Sequence, residues 1–77
     1  MNITELSNIL KNMYENATNN KAAMIHLFGI KYAKELKNDD ISIKELTKAA
    51  HIPESYVVEI NKGIRLSEYV EVKEKYR

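Results

Sequence analysis

Residues Ile41 to Arg65 read ISIKELTKAAHIPESYVVEINKGIR, and the parsing of this stretch decides the fold. Two short amphipathic runs, IKELTKAA and ESYVVEINK, meet across His51-Ile52-Pro53 with almost no slack. Ser42-Ile43-Lys44-Glu45 has the spacing of a capping box, in which the serine oxygen accepts a backbone N–H three residues on and the glutamate reaches back. The helix it starts carries Leu46, Ala49 and Ala50 on its inner side. Pro53 fits the first turn of the next helix, where its missing N–H removes no hydrogen bond. That helix is expected over 54–62, with Val57 and Ile60 pointing inward and Gly63 as its C′ stop.

Toward the N-terminus, KAAMIHLFGIKYAKELKN is the most apolar stretch in the chain. Ala22, Ile25, Phe28, Tyr32 and Leu36 form one stripe, which Met24, Leu27 and Ile30 widen well past a half-face. A helix apolar over most of its circumference sits centrally and is covered from several sides. It is expected to run unbroken from near Asn20 to Asn38-Asp39-Asp40. Gly29 inside it costs about 1 kcal/mol of helix propensity relative to alanine, a cost that the close approach of a neighbouring helix offsets. Before it, Asn2-Ile3-Thr4-Glu5 is a second capping box, and Leu6, Ile9, Leu10, Met13 and Ala17 follow at helical spacing. The cluster NATNN, Asn16 to Asn20, ends that first helix, expected over about 3–16. Beyond Gly63, Leu66, Tyr69, Val70 and Lys73 fit a short last helix capped by Ser67, while Val70 and Val72 alternate as in a short strand.

The expected architecture is therefore all-α, a bundle of four to five helices in one domain spanning 1–77, with no repeat and no linker. Its core should be Leu6, Leu10, Ile25, Phe28, Tyr32, Leu46, Ile52, Val57 and Ile60. At 77 residues, with 44% hydrophobic content, the chain lies near the lower size limit for burying its own core. It has no cysteine, which excludes disulfides and thiolate metal sites. Helix packing must supply the stability, helped where a partner subunit exists. No run approaches the roughly 18 to 20 apolar residues of a membrane span, and Glu5 with no basic n-region argues against a signal peptide. A cytoplasmic protein is the expectation, and Asn16-Ala17-Thr18 then reads as a helix end rather than a glycosylation site.

The 41–63 segment resembles the helix-turn-helix of small prokaryotic and phage DNA-binding proteins. Leu46, Ala50, Ile52, Val57 and Ile60 supply the apolar positions of that pattern. Two helices crossing steeply over a short turn touch through only a few inward side chains, and Ile52 plugs the gap between them. Thr47 stands where the family prefers a smaller residue, and His51 where it prefers glycine, so His51 must accept the backbone angle of the turn at some cost. Domains of this size also stand at the front of larger proteins, restriction enzymes among them.

The resemblance implies a recognition helix from Glu54 to Lys62, entering the major groove of double-stranded DNA by its N-terminal end. Its implied contacts are Glu54, Ser55, Tyr56, Val58, Glu59 and Lys62, with Ser42, Lys44 and Arg65 on the flanking backbone. Serine and tyrosine donate to bases or phosphates, valine meets a thymine methyl, and a glutamate can accept from cytosine. Against this stands the charge balance, with 12 Lys and Arg against 11 Asp and Glu, which is no strongly basic surface. Glu54 and Glu59 in particular would repel phosphate. The competing reading is a helical protein-interaction module, and a homodimer or larger protein partner is compatible with either. Lys44, Lys48, Lys62 and Arg65 gathered on one face would favour DNA.

Enzymatic chemistry finds little footing. His26 and His51 lie on separate elements without metal-ligand spacing, so no metal or cofactor is expected. His26 in MIHLFG reads as a core or boundary residue. Asp39-Asp40 reads as a helix end, nothing Gly-rich could cradle a phosphate, and the five tyrosines are scattered.

Overall fold

The first capping box forms in full. In the computed structural model, which describes residues 1–77, the Asn2 side chain accepts the Glu5 N–H at 2.9 Å and Glu5 accepts the Asn2 N–H at 3.2 Å. Helix α1 follows over Ile3–Asn16 and buries Leu6, Ser7 and Leu10. Helix α2 spans Lys21–Lys31, α3 Ala33–Asn38, α4 Ile43–Ala49 and α5 Tyr56–Leu66, with a final 3₁₀ turn at Glu74–Tyr76. No strand forms, so the chain is all-helical, with five α-helices. At the α1–α2 junction Lys21 Nζ donates to the carbonyls of Tyr14 (2.9 Å) and Ala17 (3.2 Å) and lies 4.2 Å above the Tyr14 ring centre. A cation at the carbonyl end of a helix is favourably placed.

The central helix is broken where a continuous one was expected. Tyr32 leaves helical angles (φ −109°, ψ 18°) between α2 and α3. Neither glycine nor proline marks the break. Its consequence is in packing: α2 runs along α5, while α3 turns Ala33 and Leu36 into the core. Tyr32 stays half-buried against Phe28, ring centres 5.2 Å apart.

Gly63 is not a helix stop. It lies inside α5, which continues to Leu66, and no glycine in the chain has positive φ. The two glycines instead face each other across the α2–α5 contact, the most extensive in the fold. A Cβ on Gly29 would lie 2.5 Å from the Ile60 carbonyl oxygen and 2.9 Å from Gly63 Cα, and a Cβ on Gly63 would strike the His26 carbonyl oxygen. Both obstacles are backbone and cannot rotate away. Gly29 thus has the role expected of it, and Gly63 is its partner.

The turns use other residues. The non-glycine residues with positive φ are Asp40 (52°) and His51 (58°), each one position past a helix C-cap. After α3, Asp40 N–H donates to Lys37 and Ile41 N–H to Leu36, and after α4, His51 N–H donates to Lys48 and Ile52 N–H to Thr47. This is the Schellman arrangement, with an isoleucine next in both cases as the apolar residue.

The core comprises Leu6, Leu10, Ile25, Phe28, Leu36, Leu46, Ala50, Ile52 and Ile60. Leu36 and Ala50 replace Tyr32 and Val57 of the expected set, since both of those are only half-buried. Ala22 and Ala49 are exposed rather than inward. Thr47 fits its position because its hydroxyl, fully buried, donates to the Lys44 carbonyl at 2.8 Å. Ser67 caps the C-terminal end of α5 instead of starting a helix, its hydroxyl donating to the Ile64 carbonyl.

Gly63→Ala should destabilise the fold by about 1–3 kcal/mol through overpacking, although alanine is the better helix former by roughly 1 kcal/mol. A C′ glycine would also resist alanine, but Gly29→Ala separates the two cases, because only close packing penalises it. Phe28→Ala should cost about 3–5 kcal/mol. Melting temperatures of the three variants check this, and a raised value for either glycine variant would contradict the crossing.

Candidate nucleic-acid interface

The α4–α5 unit is built from the turn outward. Ser42 accepts the Glu45 N–H at 3.3 Å and sets the start of α4, although the reciprocal glutamate contact does not form. His51 reverses the chain, and Ile52, 7% exposed, plugs the corner. Pro53 then opens a turn of i to i+3 bonds, Tyr56 N–H to Pro53 and Val57 N–H to Glu54, that leads into α5. The helix proper starts at Tyr56, two residues later than expected, and ends four residues later, at Leu66. Arg65 therefore sits on its last turn rather than beyond a stop.

The outer ridge of α5 is open. Val58, Lys62 and Arg65, at i, i+4 and i+7, share one face and are all exposed, Val58 at 55%. Ser42, Lys44, Glu54 and Ser55 are exposed around the start of the unit. Lys44 Nζ lies 3.7 Å from Glu54 Oε1, an exposed pair of the kind that contributes little. The basic residues do not form one cluster. Lys44 lines a shallow cleft with Glu54 and Val57, whereas Lys62 and Arg65 share another with His26, Leu66 and Tyr69. Lys48 is exposed near the end of α4, and neither it nor Arg65 has an ion-pair partner.

Two residues expected on the outward face are tied into the fold. Tyr56 is half-buried, its ring meeting Tyr14 of α1 edge-on at 5.3 Å. Burial, reinforced by Tyr14, pushes the Tyr56 phenol above its ordinary pKa. Glu59 is 25% exposed, with Oε1 2.6 Å from His26 Nε2 and Oε2 3.7 Å from Lys62 Nζ. No sequence signal pairs His26 with Glu59, because their contact exists only through the α2–α5 crossing. The exposure of Tyr69, at 81%, was equally invisible. No group of three or more His, Cys, Asp or Glu side chains is placed to hold a metal ion, and no helix is long and apolar enough to cross a membrane.

The hydrogen bond from His26 holds the Glu59 carboxyl below its ordinary pKa, opposed by desolvation and helped by the Lys62 charge. The folded state thus binds the Glu59 proton less readily than the unfolded chain. This contribution to stability is complete above roughly pH 4–5 and is lost as pH falls through the lower folded value. Melting temperature should therefore drop more steeply with acid in the parent than in Glu59→Gln, and parallel curves would show that the pair contributes nothing.

Comparison with known proteins adds one match. The family model described as HTH-like domain fits residues 2–73. No curated protein and no solved structure matches the chain. The family match covers nearly the whole sequence, and the compact α4–turn–α5 unit is the feature for which such a family is named. The chain belongs to the HTH-like domain family.

Proposed function

We propose that this chain, as one domain over 1–77, is a sequence-specific reader of double-stranded DNA. It would serve as a small transcriptional regulator or as the target-recognition part of a larger DNA-acting protein, with no catalytic chemistry of its own. The observation that carries the reading is the open ridge of α5. Val58, Lys62 and Arg65 face solvent on a helix whose opposite side is fixed by the Gly29–Gly63 crossing. Membership in the HTH-like domain family supports it.

In this reading the start of α5 enters the major groove, where Glu54, Ser55 and Tyr56 approach base edges and Val58 a thymine methyl. Lys62 and Arg65 hold one flanking phosphate strand. Lys44 holds another after leaving Glu54. Ser42 keeps its own O–H for a phosphate while its oxygen caps α4. Glu59, already occupied by His26, is a poor candidate for reading cytosine. Pairing two copies would place two such helices on a longer site.

A protein-interaction module is the second reading, favoured by the exposed apolar residues Leu66, Tyr69 and Val70 and by the division of Lys44 from Lys62 and Arg65 between two clefts. Salt separates the two. Lys62→Ala and Arg65→Ala should each weaken binding to every duplex and lower the salt slope by about one unit. Ser55→Ala should change which sequence is preferred, and it is a cleaner probe than Tyr56, whose loss also disturbs Tyr14. A parent protein that binds no duplex at low salt would transfer the assignment to the interaction module.

A further inference from the structure

Glu59 poses a physical problem for any phosphate-binding use of α5. Its carboxylate lies one turn before Lys62 and close beside the ridge that must meet a polyanion. The fold places His26 of α2 against it, with Nε2 2.6 Å from Oε1, both side chains partly shielded at 31% and 25% exposure. We infer that His26 is a positioning residue for the DNA-reading face, holding Glu59 back against α2 and cancelling its charge when protonated, so that duplex binding takes up a proton. This rests on the DNA reading of α5.

The two parts of that role have different requirements. A neutral imidazole with its proton on Nε2 still donates to Glu59 and keeps the carboxylate turned toward α2. Only the imidazolium also removes the net negative charge. Lys62 matters here as well, because it is the other cation on Glu59, 3.7 Å from Oε2. Once His26 is charged, it satisfies Glu59 alone and frees Lys62 for a phosphate. An approaching phosphate in turn favours the charged imidazole, which couples binding to protonation.

The surroundings of His26 contain few other titrating groups. Glu59, Lys62 and Arg65 approach from α5, and Tyr69 from just beyond its end. One turn away on its own helix are Ala22, Ala23, Gly29 and Ile30. Tyr56, paired with Tyr14 of α1, stands one turn before Glu59 on α5. The other histidine, His51, is exposed in the turn before α5 and has no carboxylate partner, so it serves as the control.

Duplex binding by fluorescence anisotropy at low salt, at pH 6 and pH 8, tests the inference on the parent, Glu59→Gln, His26→Gln and His51→Gln. The parent and His51→Gln should bind about twofold to tenfold more tightly at pH 6, the range expected for one partly screened charge near phosphate. Glu59→Gln should bind at pH 8 about as the parent does at pH 6, and more tightly still at pH 6, because His26 continues to gain its charge. His26→Gln keeps a donor but no charge, so it should stay at the pH 8 level of the parent. A parent that binds equally at both pH values overturns the inference and leaves the DNA reading standing. So does a dependence that persists in His26→Gln or disappears in His51→Gln. A parent that binds no duplex at either pH overturns both.

Discussion

The orientation of α5 depends on two backbones that approach too closely for any Cβ to stand between them. At the α2–α5 crossing the hydrogens of Gly29 and Gly63 point at carbonyl oxygens of the opposite helix, in space that no Cβ can occupy. The glycines bring no side-chain energy of their own. Their effect is to let Ile25, Phe28 and Ile60, all fully buried, close on one another without a gap. The crossing also fixes the rotation of α5 about its axis. That rotation sends Val58, Lys62 and Arg65 outward, turns Glu59 toward His26, and presses Tyr56 against Tyr14.

Glycine in this chain serves close approach, and the left-handed turn positions fall to aspartate and histidine. The cost of positive φ at Asp40 and His51 is of order 1 kcal/mol each, and the contacts made by the two turns offset it. In both, the reversal satisfies two helix-end carbonyls and delivers an isoleucine, Ile41 or Ile52, onto the core. Moving glycine to the turns would relax them, but the α2–α5 contact has no substitute for it. The placement of two residues therefore separates the part of the fold that tolerates strain from the part that tolerates no volume.

This division also marks what was legible in the sequence. Local rules worked where the determinant was local. The Asn2 and Ser42 caps, the extent of α1 and the inward set Leu46, Ala50, Ile52 and Ile60 could all be read from spacing. The strain at His51 followed from the resemblance, which puts glycine there, and the packing role of Gly29 from its place inside an apolar helix. Gly63 was misread because a glycine near a helix end fits a stop as well as a contact, and only the position of α2 distinguishes them. The break at Tyr32 carried no residue signal, and Ala49 and Val57 shared the helical spacing of buried residues, yet Ala49 is exposed and Val57 only half-buried. Among the candidate contacts, the outward facing of Val58 and Lys62 agrees with the recognition helix that the resemblance implied, whereas Arg65, expected beyond a helix stop, lies on the last turn of α5. The occupation of Glu59 and Tyr56 was not legible, since His26 and Tyr14 reach them from helices distant in sequence.

Gly29 and Gly63 meet with nothing between them, and on that contact the orientation of α5 rests. The most direct measurement is a nuclear Overhauser spectrum of the labelled protein in solution, read at the α-protons of the two glycines. The structure predicts a strong Gly29–Gly63 α-proton cross-peak, with further peaks from Gly29 to the Ile64 amide. Contacts between Phe28 and Ile60 without any cross-peak between the glycines would contradict it, because α2 and α5 would then pack through side chains at ordinary separation.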